Sequence, residues 1–254
     1  MVDIHAHLLP GIDDGAKSME EALEMARIAW LDGITDMFVT PHSHDGLFVN
    51  HTELITAKLE QLQALLRLKK IPLRLHIGAE IHIHSDLLTN LRTGELPTLG
   101  NQQKYVLLEL PSLQLPRFTD QLLAALLEHG ITPIIAHPER LVVIAEQPQW
   151  LANWIERGAI AQVTADSLLG KQGKRVQRAA ETLIRQRLVH LLASDAHHAD
   201  RRTPRLSHAF ARLHQLVSEA EVQTYLHNGE AIVNGQPCRV VEPAVSSRRK
   251  WWFW

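Results

Sequence analysis

His5-Ala6-His7 ends the short apolar run Val2–Ile4. Residues two apart on an extended backbone share a face, so both imidazoles leave the strand end together. Two neutral imidazoles converging in this way suit a borderline divalent cation. Asp14 follows in the loop Pro10-Gly11-Ile12-Asp13-Asp14-Gly15, whose paired acids and glycines suit a tight turn that presents a carboxylate. Alone, either feature is as well explained by a surface histidine pair and a plain turn. The pattern repeats, however. His42 comes directly after Pro41, which stops the preceding apolar run so that His42 starts a loop. Glu80 closes Ile77-Gly78-Ala79-Glu80, and Glu109 lies inside Val106-Leu107-Leu108-Glu109-Leu110. An acid in an apolar run is costly unless its charge is paired or metal-bound. His137 and, one turn on, Arg140 follow Ile134-Ile135-Ala136, while Asp195 and His197 follow Leu191-Leu192-Ala193. Mixed histidine and carboxylate without cysteine points to Mn²⁺, Fe²⁺, Zn²⁺ or a similar ion. Nine such residues exceed what one ion needs, so two or three cations with a bridging carboxylate are expected.

These residues must be positioned by elements that place successive chain segments side by side. Seven β-type runs recur: 2–4, 34–40, 73–79, 105–110, 132–136, 159–164 and 188–193. Amphipathic helical stretches lie between them, starting at Ser18-Met19-Glu20-Glu21, over 119–129, over 148–157 and over 170–186. Strand–helix alternation implies parallel strands joined by helical crossovers. The pattern predicts an irregular seven-stranded α/β barrel, with a doubly wound open sheet as the alternative. In both, side chains at the carboxyl ends of the strands converge, and the nine candidate ligands fall there.

The rest of the composition bounds the reading. The chain has 254 residues, 45% hydrophobic and 21% charged, and no linker divides it, which predicts one domain over residues 1–245. A net charge of -2 argues against a nucleic-acid partner. No apolar run is long enough to span a bilayer, and the first residues are neither a signal nor a transit peptide. One cysteine, Cys238, fits a reducing cytoplasm. Sixteen histidines outnumber Phe, Tyr and Met together; His44, His51, His76, His84 and His198 are read as satisfied or surface residues. Trp30, Trp150 and Trp154 occupy helical positions as packing residues. Residues 246–254, Ser-Ser-Arg-Arg-Lys-Trp-Trp-Phe-Trp, join three cations to four aromatics, the composition of an interfacial anchor, with a packing tail as the bland reading.

Five motifs together resemble one group of proteins: Asp3-Ile4-His5-Ala6-His7-Leu8-Leu9-Pro10-Gly11-Ile12-Asp13-Asp14-Gly15, Thr40-Pro41-His42, Gly78-Ala79-Glu80-Ile81, Ala136-His137-Pro138-Glu139-Arg140 and Ser194-Asp195-Ala196-His197. They resemble the polymerase-and-histidinol-phosphatase (PHP) superfamily and, within it, bacterial capsule-associated tyrosine-protein phosphatases of the CpsB/CapC type. The resemblance extends to about Gly235. It implies a distorted seven-stranded (β/α)7 TIM-like barrel and a site of two to three divalent cations, manganese first. By position, His5, His7, Glu80 and Asp195 would hold one ion. Glu80 would bridge to a second ion held by Glu109 and His137, and Asp14, His42 and His197 would hold the third. Arg140 and Arg202 would bind phosphate, although Arg201-Arg202-Thr203-Pro204 departs from the family's Gly-Arg-Pro-Pro and leaves Arg201 and Arg205 as substitutes. His82 stands where relatives usually carry arginine.

The implied reaction is hydrolysis of phosphotyrosine by a hydroxide bridging two cations. Arg140 would neutralise phosphoryl charge, and His42 or Asp14 would assist departure of the tyrosyl oxygen. The implied partner is a membrane-associated bacterial tyrosine kinase of capsule or exopolysaccharide synthesis, which places the protein in the cytoplasm and at the inner face of the membrane. A thiolate mechanism is set aside, because it needs an arginine six positions after the cysteine and residue 244 is alanine. The alternatives are a small-molecule phosphatase acting on substrates such as histidinol phosphate, a nuclease on the same site, and a non-catalytic metal-binding partner protein.

Overall fold

The structure, a computed structural model, describes residues 1–44 and 46–244. The basic-aromatic segment 246–254 therefore lies outside the described residues. In chain order the elements are β1 (Val2–Ala6), α1 (Met19–Leu31), β2 (Asp36–Val39), β3 (His42–Ser43), α2 (Thr52–Leu68), β4 (Arg74–Ile77), β5 (Glu80–His82), α3 (Leu87–Thr93), β6 (Tyr105–Glu109), α4 (Thr119–Glu128) and β7 (Thr132–Ala136). There follow α5 (Val142–Glu146), α6 (Gln149–Glu156), β8 (Ile160–Thr164), α7 (Ala165–Leu168), α8 (Lys174–Arg185), β9 (Leu191–Ala193), α9 (Ser207–Leu213) and α10 (Glu219–Val233). No helix among the described residues is long and apolar enough to cross a membrane.

All strand pairings are parallel, as the strand–helix alternation requires. One sheet has the order β1-β2-β4 and the other β3-β5-β6-β7-β8-β9. Beyond two of the expected runs, 34–40 and 73–79, the strand breaks and the chain then resumes as a further short strand, β3 and β5, that the pattern did not predict. The Thr40-Pro41 step divides β2 from β3, since proline has no N–H to give to the ladder. Gly78-Ala79 divides β4 from β5, and a Cβ at Gly78 would lie 2.6 Å from a Leu99 methyl. Both breaks fall at the same level, so the register survives: Val39 faces Ile77 before them and His42 faces Glu80 after them. His42 consequently sits in a two-residue strand rather than at the start of a loop, and Glu80 begins a strand instead of following one. At the other side, His5 C=O accepts from Asp195 N–H at 2.8 Å and His7 N–H donates to Ala196 C=O at 2.8 Å, which joins the end of β1 to the segment after β9.

Alternate residues of each strand separate into two apolar layers. Ile4, Phe38, Leu107, Ile134, Ile160 and Leu191, from six different strands, pack into one small buried cluster. Their neighbours Met37, Val106, Leu108, Ile135, Ala161 and Leu192 pack outward against the helices. The period-2 geometry of strands carries the inner face on from Leu107 to Glu109 and from Ile160 to Gln162. In β1 the pairing with β2 is irregular between Asp3 and Ala6. Ile4 belongs to the inner cluster but Ala6 to the outer one, so the irregularity turns His5 and His7 inward.

Helix ends follow local chemistry. Ser18 caps α1 by accepting from Glu21 N–H, an interaction worth about 1 kcal/mol, whereas Glu21 reaches back to Lys17 N–H rather than to Ser18. α8 starts four residues later than the hydrophobic pattern alone predicts, because Gly170 and Gly173 adopt φ values of 79° and 92°. Trp154 is buried and donates its indole N–H to Asp120 at 2.7 Å, a packing role.

Candidate metal centre

All nine candidate ligands meet at the carboxyl ends of the strands. Glu80 is at their centre. Its Oε2 lies 3.2 Å from His5 Nε2, 3.3 Å from His7 Nε2 and 3.2 Å from His42 Nδ1, and its Oε1 lies 2.7 Å from His137 Nε2. Asp195 Oδ1 is 3.4 Å from His5 Nε2 and 3.5 Å from His7 Nε2. Glu109 approaches His42 Nδ1 at 3.7 Å and His137 Nε2 at 4.0 Å. At the open edge Asp14 Oδ1 stands 3.3 Å from His197 Nε2 and 3.6 Å from His42 Nε2.

Three overlapping donor groups result: His7, Asp14, His42 and His197; His5, His7 and Glu80; His42, Glu80 and Glu109. They share His7, His42 and Glu80, whereas the positional carry-over gave His7 and His42 to one ion each. The donor set suits divalent cations on its chemistry and on its unmet needs. Glu80 Oε2 is surrounded by three imidazole nitrogens and takes no hydrogen bond from any of them. His5 and His7 point their Nε2 atoms at each other across 3.2 Å, an arrangement that a cation between lone pairs would satisfy.

Two of these residues carry backbone strain. His137 has φ 34° and Asp195 φ 53°, left-handed conformations that cost a non-glycine residue roughly 1–3 kcal/mol. His137 leads into a 3₁₀ turn, Pro138–Arg140, that brings the Arg140 guanidinium back over the site. Arg140 forms an ion pair with Asp195 Oδ2 at 2.7 Å and donates to Thr164 Oγ1 at 3.0 Å. Arg202 reaches the same Asp195 oxygen at 2.6 Å. Arg201 instead points to solvent beside Asp200, and Arg205 is exposed. Of the three arginines left open by the sequence, Arg202 is therefore the one placed at the cluster.

The charges of these groups are set by their mutual contacts. Burial opposes ionisation of Glu80 and Asp195, but His5, with His137 for the first and Arg140 for the second, holds both carboxyls well below the usual range. Burial also works against charge on His7, yet the Asp13, Asp195 and Glu80 carboxylates raise its pKa well above normal. Asp14 is held far down by its hydrogen bond from His197.

Four residues that hold this arrangement were not singled out by sequence. Asp13 accepts from His7 Nδ1–H at 2.8 Å, and Gln162 Oε1 accepts from His5 Nδ1–H at 3.0 Å. Asp3 accepts from the Ser194 hydroxyl at 2.5 Å and its N–H at 3.0 Å, while Glu139 accepts from the Thr164 N–H and hydroxyl at 3.1 Å each. Asp13 and Gln162 each sit on a recognisable signal, an acid paired with Asp14 and a polar residue in an otherwise apolar strand. His84 donates to His82 C=O and receives Asn90, and its ring stacks on His44 at 4.2 Å; neither belongs to the three donor groups. His82 lies 3.6 Å from Glu109.

A parallel α/β scaffold carrying a histidine–carboxylate cluster at its strand ends is the architecture of a metal-dependent hydrolase. The chain belongs to the CpsB/CapC family, described by its role in capsular polysaccharide synthesis, whose family model matches residues 1–234. The tyrosine-protein phosphatase YwqE of Bacillus subtilis is 35% identical over 250 residues, covering 98% of both chains. CpsB of Streptococcus pneumoniae, also a tyrosine-protein phosphatase, is 30% identical over 215 residues, 83% of this chain and 88% of the relative. Among solved structures, one from a study of YwqE and S. pneumoniae CpsB, called unique metal-dependent tyrosine phosphatases, superposes with a TM-score of 0.92 at 34% identity, covering 96% of this chain and 98% of the other. A β-aspartyl dipeptidase from Fervidobacterium islandicum shares the fold alone, at a TM-score of 0.52 and 13% identity.

Proposed function

We propose that this protein is a metal-dependent tyrosine-protein phosphatase, its substrate a phosphotyrosine protein and its partner a bacterial tyrosine kinase of capsule or exopolysaccharide synthesis. The observation that carries the reading is Glu80 Oε2 held 3.2–3.3 Å from three imidazole nitrogens, with two guanidiniums converging on Asp195 beside it. Family membership supplies the substrate class. His5, His7, Asp14, His42, Glu80, Glu109, His137, Asp195 and His197 would hold two to three cations, with manganese, iron and zinc all suited to these donors and manganese preferred. Such cations, when bound, supply Lewis acidity and a nucleophilic oxygen from water at neutral pH. The chain as far as residue 245 is read as one metallophosphatase domain. The junction of β1 with the segment after β9 and the inner cluster drawn from six strands support reading its sheets as a distorted seven-stranded barrel.

The protein's own groups divide the remaining work. Arg140 and Arg202 bind and neutralise the phosphoryl oxygens, giving up Asp195 as their counter-ion. Of the two candidates for protonating the departing tyrosyl oxygen, Asp14 is a poor donor because His197 keeps it ionised. The task then falls to His42, which faces Asp14 at the open edge of the cluster. Chelation is expected to abolish hydrolysis of a phosphotyrosine peptide and added Mn²⁺ to restore it, with Cys238→Ser fully active. The Cys238 thiol is pushed up to about 11 by burial, far from a nucleophile. Inactivation by thiol alkylation with chelators harmless would overturn the metal reading, and faster turnover of histidinol phosphate would overturn the substrate.

Residues 246–254 are proposed to bring the enzyme to the inner membrane face beside its kinase. The chain leaves the described region where Ala244 N–H donates to Gln186 C=O, at the amino end of β9 and so opposite the metal centre. Truncation after Val245 is expected to abolish sedimentation with anionic liposomes, and unchanged binding would refute the membrane role.

A further inference from the structure

His7 is the one histidine common to the outer donor group, with Asp14, His42 and His197, and the inner one, with His5 and Glu80. What stands behind it differs from what stands behind its neighbour. Asp13, with its side chain fully buried, places Oδ2 2.8 Å from His7 Nδ1. A carboxylate at this distance only accepts, so Nδ1 carries the hydrogen and Nε2 is left to face the cluster. Behind His5 stands a neutral amide instead, Gln162 Oε1 at 3.0 Å, whose Nε2 is buried without a hydrogen-bond partner.

Asp13 is also rigidly set. Its Oδ1 accepts from Gly15 N–H at 2.9 Å, and its Oδ2 accepts from His42 N–H at 3.2 Å as well as from His7. The loop lies directly on the His7 backbone, for a Cβ at Gly15 would fall 2.2 Å from His7 O. Asp13 thus holds two ligands, one by its ring and one by its backbone, while the adjacent Asp14 turns outward to His42 and His197.

We infer that Asp13 is the positioning residue that makes His7 the stronger donor of the His5–His7 pair, and that Gln162 keeps His5 the weaker. A carboxylate on the distal ring nitrogen raises the basicity of a ligating imidazole and locks its orientation; an amide orients without adding charge. The cation or cations touching His7 therefore depend on Asp13 for tight binding, whereas one held by His42, Glu80 and Glu109 does not depend on the His7 ring. The inference rests on the metal reading above.

The test uses the full chain, stripped by chelation and titrated with Zn²⁺ against a chromophoric chelator. Asp13→Asn is expected to weaken part of the zinc uptake by about 10–100-fold and to leave the rest near wild type. Gln162→Glu, which puts a carboxylate behind His5, is expected to tighten zinc binding, a direction that general damage to the fold would not give. In ¹⁵N spectra of the zinc-loaded wild type, His7 should show a protonated Nδ1 and a metal-bound Nε2. Unchanged zinc affinity in Asp13→Asn, weakened affinity in Gln162→Glu, or the opposite His7 tautomer would each overturn the inference. If Asp13→Asn does not fold, Gln162→Glu and the wild-type spectrum still decide. Wild-type protein that takes up no zinc would instead overturn the metal reading itself.

Discussion

Glu80→Gln should lower kcat/KM for a phosphotyrosine peptide by roughly 10³-fold or more, about 4 kcal/mol of transition-state stabilisation. The size follows from position. Glu80 belongs to two of the three donor groups and touches His5, His7, His42 and His137. Glutamine keeps the volume but replaces one ligand oxygen with an NH₂ that can only donate. In the metal-free protein the loss of the Glu80 charge also makes His5 and His7 less basic, so their ring nitrogens can accept from that NH₂ and thermal stability without metal should change little. Metal content should drop instead. Metal analysis and calorimetry on the same preparation separate the two, and a stable variant with full metal content and full activity would refute the role.

A pH dependence accompanies this prediction. Opposed by burial but driven by the Glu80, Asp195 and Asp13 carboxylates, the pKa values of His5 and His7 lie above the ordinary histidine value. The metal-free cluster therefore binds protons on these rings more readily than an ordinary histidine does, and cations must compete with them. More protons are bound without metal than with it, so acid favours the metal-free state. Activity should fall on the acid side, and raising the Mn²⁺ concentration should move that limb to lower pH. A limb indifferent to Mn²⁺ would mean that some other group titrates.

The ligand types could be read from the sequence because each stands where an apolar run ends, and parallel strands all end on the same face. Glu109 was visible for a further reason, since a carboxylate among Leu107, Leu108 and Leu110 needs a partner. The resumed strands β3 and β5 were not visible. Pro41 reads as a stop, yet the chain resumes its register two residues on, because the β4–β5 neighbour is interrupted at the same level. Asp13 and Gln162 escaped for a related cause. Their function is a hydrogen bond to a ring nitrogen, and that depends on which way adjacent side chains point. Asp13 and Asp14 are the same residue type side by side, and only the fold of the loop on His7 makes one a buried acceptor and leaves the other half exposed. The irregularity in β1 that turns His5 inward has no composition signal at all.

Arg140→Ala should cost about 10²–10³ in kcat/KM, and Arg140→Lys nearly as much. Arg140 is the more enclosed of the two guanidiniums, its side chain 20% exposed against 33% for Arg202. Its Nη2 is also fixed, by Asp195 and by Thr164, which Glu139 in turn holds through its hydroxyl and N–H. Lysine retains the charge but lacks the planar fork that can take two phosphoryl oxygens at once. Arg202, from the loop after His197, is less confined, so Arg202→Ala should act mainly through KM and by roughly tenfold less. Both arginines meet the same Asp195 oxygen, which has a consequence for the double variant. With one guanidinium gone, the other is held harder by Asp195 and is less available to a phosphoryl group. The two losses should therefore fall short of additive in a double-mutant cycle, by an interaction of about 0.5–3 kcal/mol. Additive losses would mean that the arginines act on separate oxygens of the substrate and that their shared contact with Asp195 has no bearing on catalysis.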